Sequence, residues 1–164
     1  MEPEKGDPTI KVTRQDVSRA LREVGLAPGD TLMFHSSLSS MGHVVGGPHA
    51  FIEGCLDAVG PQGTVAVPTL CNWRPGEEPE VFSRWDPRSS PSYVGRITDV
   101  FWRRPDALRS DHATHSVAAI GARAAELTAG HGASGRRLGP FGEGAFAQES
   151  PWQRLVDWNA TYCF

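Results

Sequence analysis

Lysine is almost missing from the 164-residue chain: Lys5 and Lys11 are its lysines, and every other side chain of fixed positive charge is an arginine. The net charge is -3 and no basic stripe occurs, which excludes the nucleic-acid-binding class, since phosphate backbones are held by clustered cations. Cysteine is scarce too. Cys55, Cys71 and Cys163 are odd in number, widely spaced and never arranged as CxxC, so neither a disulfide framework nor a thiolate zinc centre is supported. No apolar run approaches the roughly 18 residues of a membrane span. Met1 to Lys11 is polar and lacks the apolar stretch of a signal peptide, so the expected location is cytoplasmic. A GxxxxGK[ST] phosphate loop and a GxSxG nucleophile elbow are both absent, as are internal repeats and low-complexity tracts.

What remains is the composition of one soluble globular domain, with 39% hydrophobic and 21% charged residues. Residues 1–12 read as a flexible N-terminal tail and residues 13–164 as the domain. Thr13 opens a helix, with Asp16 as its capping-box partner, and Val17, Ala20, Leu21 and Val24 form its apolar stripe before Gly25. Thr31 to His35 and Thr64 to Pro68 read as short buried strands. Between them a helix beginning at Pro48 places Ile52, Cys55, Leu56 and Val59 on one face. A third helix spans Tyr93 to Arg104, a third strand Ser116 to Ile120, and further helices lie near Ala122 to Thr128 and after Pro151. This alternation predicts an α/β fold with at least partly parallel strands. The apolar end, Thr161-Tyr162-Cys163-Phe164, reads as a chain stopping inside a strand.

Three segments carry candidate chemistry. Phe34-His35-Ser36-Ser37-Leu38-Ser39-Ser40-Met41-Gly42 follows a strand and offers hydroxyls, a histidine and backbone N–H groups suited to phosphate or carbonyl oxygens. It reads equally as a serine-rich surface loop. Leu108-Arg109-Ser110-Asp111-His112-Ala113-Thr114-His115-Ser116 gathers an arginine, an acid and two imidazoles, and its HxxH spacing needs further ligands from the fold to hold a metal. Backbone hydrogen bonding by those histidines is the alternative. Trp73 to Tyr93, with Glu77, Glu78, Glu80, Asp86 and Trp85, alternates acids and aromatic faces, which suits a polycationic small molecule or a merely solvated acidic loop.

Taken together, PGDTLMFHSSLSSMG, GPQGTVAVPT, FWRRP, ALRSDHATHSVAAIG and SPWQRL resemble the aminoglycoside N(3)-acetyltransferase family over nearly the whole chain from Thr13. The resemblance implies a three-layer α/β/α fold, of which this chain is expected to be the N-terminal part only. It implies acetyl transfer from acetyl-CoA, as co-substrate and without a metal, to the 3-amino group of the 2-deoxystreptamine ring, conferring antibiotic resistance. Acetylation of another amine is the nearest variant of that activity. His35, Ser36, Ser37, Leu38, Ser39, Thr69, Arg109, Ser110 and His112 would then lie at the coenzyme, and Trp73, Glu77 and Asp86 at the aminoglycoside. Ala113 stands where many members have proline.

The family's general base is expected beyond Phe164, which leaves His112 and His115 as the candidates within the chain. On that view the apolar faces of Leu32, Val65, Val67 and Val117 are expected to lose their cover. Three classes of function follow: part of an acetyltransferase, a coenzyme-A-binding remnant that does not turn over, or an unrelated enzyme using His112 or His115.

Overall fold

Thr13 begins the first helix through the reciprocal cap that its spacing from Asp16 predicts. Its hydroxyl accepts the Asp16 N–H at 3.2 Å, and the Asp16 carboxylate accepts the Thr13 N–H at 2.9 Å. The structure, a computed structural model, describes residues 5–71, 84–132 and 143–164. The elements before the first long loop are β1 (Lys11–Val12), α1 (Arg14–Glu23), β2 (Thr31–Phe34), β3 (His43–Val44), α2 (Gly47–Val59) and β4 (Thr64–Pro68). Then come α3 (Arg96–Trp102), β5 (Leu108–Arg109), β6 (Val117–Gly121), α4 (Ala124–Thr128), α5 (Pro151–Asp157) and β7 (Thr161–Cys163). Short 3-10 turns cover Leu38–Met41 and Glu143–Phe146. Part of the stretch read as a tail is hydrogen-bonded: β1 pairs in parallel with β3, and the Gly6 N–H donates to Ser39 O at 2.8 Å.

Five strands form the central sheet in the order β5-β6-β4-β2-β7. β2 is parallel to both β4 and β7, whereas β6 is antiparallel to β4 and β5, so the sheet is mixed. Side chains alternate across it, as the pleat requires. Leu32, Phe34, Val65, Val67, Ala118 and Ile120 meet α1, α2 and α3, while Met33, Ala66, Val117 and Ala119 meet α4 and α5. The result is the three-layer α/β/α arrangement expected. Leu32, Val65, Val67 and Val117 are at 0% exposure, contrary to the expected loss of cover, because helices of this same chain shield both faces.

The apolar stripe predicted for α1 is only half used. Val17 and Leu21 pack inward, but Ala20 and Val24 are exposed. Past the helix end the chain turns at Gly25 and buries Leu26 in place of Val24. The layer is tight where α1 crosses α2. A Cβ on Gly54 would lie 2.7 Å from both Arg14 O and the Val17 Cβ, so only glycine permits this approach. No described helix is long and apolar enough to cross a membrane.

The sheet directions decide where function can sit. β2, β4 and β7 end at one edge, and the reversed β6 begins there while β5 ends there. The segments after Phe34, after Pro68, between Arg109 and Val117, and after Cys163 are therefore brought to the same rim.

Candidate active site at one edge of the sheet

The loop after β2 forms one wall of this rim. Residues Ser36 to Ser39, with Gly42, His43, Val44 and Val94 to Arg96, line an open cavity of about 660 Å³. Ser37 and Ser39 share a hydrogen bond of 3.0 Å between their hydroxyls, and the Ser40 hydroxyl donates to Ser37 O at 2.8 Å. The Ser36 hydroxyl is buried and has no hydrogen-bond partner among the described residues, a condition it shares with the Trp85 indole N–H. Buried polar groups ordinarily find partners, so each such atom calls for an explanation. Ser36 also borders a second, smaller cavity of about 210 Å³ under Phe34, Phe51, Cys55 and Cys163.

His35 docks this loop on the last strand. Its N–H donates to Cys163 O at 2.8 Å, and its Nε2 lies 2.6 Å from the Tyr162 hydroxyl. Burial pulls its imidazole below the usual histidine value, which favours the neutral form.

Thr69, Ser110 and His112 lie beneath the rim, at 0%, 0% and 4% exposure. Thr69 is tied to Ser116, which donates its hydroxyl to Thr69 O at 2.6 Å. Arg109 donates from Nε to Thr69 Oγ1 at 3.0 Å, from Nη2 to Thr69 O at 2.6 Å, and from Nη1 to Ser90 O. Its guanidinium lies 5.2 Å from the Trp85 ring and 4.8 Å from the Trp102 ring. Burial lowers its pKa to about 10, so it keeps its charge at neutral pH.

Ser110 accepts the Val117 N–H at 2.8 Å, and its hydroxyl lies 2.9 Å from His131 Nδ1. His131 Nε2 reaches Ala145 O at 3.0 Å. A carbonyl accepts only, so the network assigns the proton to Nε2 and leaves Nδ1 to accept from Ser110. His112 stacks on His131 with centroids 4.6 Å apart, and its Nδ1 accepts the His115 N–H at 3.2 Å. Thr114 Oγ1 lies 3.2 Å from His112 Nδ1 and 2.8 Å from His115 Nδ1. Burial lowers the His115 pKa as it does that of His35. Among the described residues no three His, Cys, Asp or Glu side chains converge as a metal-ligand set.

Asp86 belongs to a local turn: its carboxylate accepts the Arg88 N–H at 2.8 Å and remains half-exposed. Trp73 and Glu77 lie outside the described residues. Sequence reasoning missed His131, Tyr162 and the Val94 to Arg96 wall. Periodicity marks none of them: His131 lies in a glycine-flanked turn, and Tyr162 reads simply as a strand residue.

A sequence model of the family described as aminoglycoside 3-N-acetyltransferase matches residues 33–164. The chain belongs to that family. It is 39% identical over 137 residues to aminoglycoside N(3)-acetyltransferase VII of Streptomyces paromomycinus, which covers 73% of this chain and 46% of that relative. Among solved structures it is similar to AAC-VIa bound to sisomicin, with a TM-score of 0.78 and 27% identity over 93% of this chain and 59% of that one. It is similar also to AAC-IIIb in binary complex with CoASH, with a TM-score of 0.76 and 28% identity over 90% of this chain and 57% of that one. The chain spans about half the length of the curated relatives it matches. Both stretches that carry the family resemblance most specifically, HSSLSSMG and RSDHATHSVAAIG, meet at the rim described above.

Proposed function

We propose that this protein serves acetyl-CoA-dependent N-acetylation of aminoglycosides at the 3-amino group of the 2-deoxystreptamine ring, and thereby antibiotic resistance. The observation that carries this reading is the Ser36 to Ser39 wall: an open cavity large enough for a coenzyme, bordered by a buried hydroxyl that lacks a partner. In support, one solved structure similar to this chain holds CoASH and another holds sisomicin.

The chemistry sets the demands. A protonated amine has no lone pair, so it must lose its proton before it attacks a thioester. The tetrahedral oxyanion then needs donors already in place, and the Ser36 to Ser39 hydroxyls and backbone N–H groups are the donors assigned to the coenzyme here. Thr69, Ser110 and His112 lie buried at the same rim, hydrogen-bonded to Ser116, Val117 and His115 respectively. Asp86, with its half-exposed carboxylate, is assigned to the cationic acceptor. Acetylation would remove one positive charge and one donor from the drug.

A second reading, coenzyme binding without turnover, is favoured by one observation. Neither His112 nor His115, the two candidate bases within the chain, is among the residues that line the open cavity beside Ser36 to Ser39. Mass spectrometry of sisomicin incubated with the protein and acetyl-CoA separates the two. The first reading expects one added acetyl group on the 3-amine. Coenzyme binding with unmodified sisomicin establishes the second, and loss of both defeats the assignment of function.

A further inference from the structure

Arg109 joins separate pieces of the rim. Its donors go to Thr69 at the end of β4 and to Ser90, and Pro87 O lies 3.5 Å from Nη1. Among the described residues no carboxylate hydrogen-bonds to it. Its charge is met by main-chain carbonyls and by two indole faces, which suits a guanidinium better than an ammonium. Among the described residues the buried Trp85 indole N–H has no hydrogen-bond partner, so its ring meets Arg109 without a polar anchor of its own. Asp86 follows directly, with its carboxylate half-exposed.

A ligand for a coenzyme phosphate needs donors turned outward. Arg109 commits one N–H each from Nε, Nη1 and Nη2 to Thr69 and Ser90. The geometry points to Arg109 as a positioning residue: it holds the Trp85 to Ser90 segment against the end of β4, presents Asp86, and so sets affinity for the cationic acceptor rather than for the coenzyme. This rests on the acceptor reading under Proposed function. The substrate class it concerns is a polyamine sugar, whose ammonium groups a half-exposed carboxylate attracts and whose affinity a misplaced carboxylate would weaken.

The test measures dissociation constants for coenzyme A and for sisomicin separately, by calorimetry, on the unmodified protein, Arg109→Lys, Asp86→Asn and the double variant. A lysine keeps the charge but lacks the planar fork whose separate nitrogens donate to Thr69 Oγ1, Thr69 O and Ser90 O. Arg109→Lys and Asp86→Asn are each expected to weaken sisomicin binding roughly tenfold, about 1.4 kcal/mol, and to leave coenzyme A within about twofold. Because one residue acts through the other, the double variant should be little weaker than either single one. Trypsin should also cut after the exposed Arg88 faster in Arg109→Lys, whatever the ligand behaviour.

Weakened coenzyme A binding in Arg109→Lys would overturn the proposal in favour of direct ligation. Unchanged sisomicin affinity, or fully additive losses, would overturn it in favour of a purely structural arginine. If the unmodified protein binds neither ligand, the functional reading fails and the acceptor role falls with it. The tryptic rate then alone decides whether Arg109 holds the segment. Should Arg109→Lys fail to fold, Thr69→Val removes the Nε acceptor and keeps the guanidinium, and the same pattern is expected at smaller amplitude.

Discussion

His35 and His115 each sit partly out of water at the rim, and burial lowers the pKa of both from an ordinary value of 6.5. The sign of the consequence follows from proton counting. Just below pH 6.5 the unfolded chain takes up protons on these residues while the folded one does not, so protons favour unfolding. Stability is therefore expected to be flat above neutrality, to fall as pH drops below 6.5, and to level off once the folded imidazoles also titrate. Melting temperatures across pH 5 to 8, about the range in which histidine titrates, check this. The double variant His35→Gln, His115→Gln should lose less stability on acidification than the unmodified protein, and equal losses would contradict the account. These two residues also show how far sequence reading reached. Their type and spacing marked them as candidates, but their partners, Tyr162 for one and Thr114 for the other, come from pairings that spacing does not show.

At the scale of elements, helix starts were legible because capping is local chemistry. Thr13 with Asp16 forms the cap that its spacing predicts, and the helix expected after Pro151 starts from Ser150, whose hydroxyl accepts the Gln153 N–H. Strands β2, β4 and β6 were legible as short apolar runs. The sense of β6 was not, because antiparallel pairing is decided by the loops before it rather than by its own residues. The exposed half of the α1 stripe has a similar origin: α1 packs on α2 at Gly54, and that contact fixes which face turns inward.

Gly54 gives a prediction in which two effects oppose. Helix propensity alone favours alanine over glycine by about 1 kcal/mol. A Cβ placed 2.7 Å from the Arg14 carbonyl must instead push the helices apart, and overpacking of this kind costs about 1–3 kcal/mol. Packing should win. Gly54→Ala is expected to lower the melting temperature by a few degrees, roughly 2–4 °C for each kcal/mol in a chain of this size. A raised melting temperature would show that propensity governs this position.

For the whole molecule, what makes a site is that strand directions bring four separated segments to one edge. The family resemblance named the segments, and HSSLSSMG and RSDHATHSVAAIG were legible as motifs. Their meeting was not legible, since it depends on β6 running against β4 and β5 running against β6. Nor was the difference in exposure between them, in which Ser36 to Ser39 line an open cavity while Ser110 and His112 are buried.

Hydrogen–deuterium exchange with and without coenzyme A tests that claim most directly. The account predicts slowed exchange over His35 to Val44 and over Val94 to Arg96, the two sides of the open cavity, with little change along the outer face of α1. Protection confined to the arginine-rich groove of Pro87 to Ser89 and Trp102 to Arg109, or no protection at all, would contradict it.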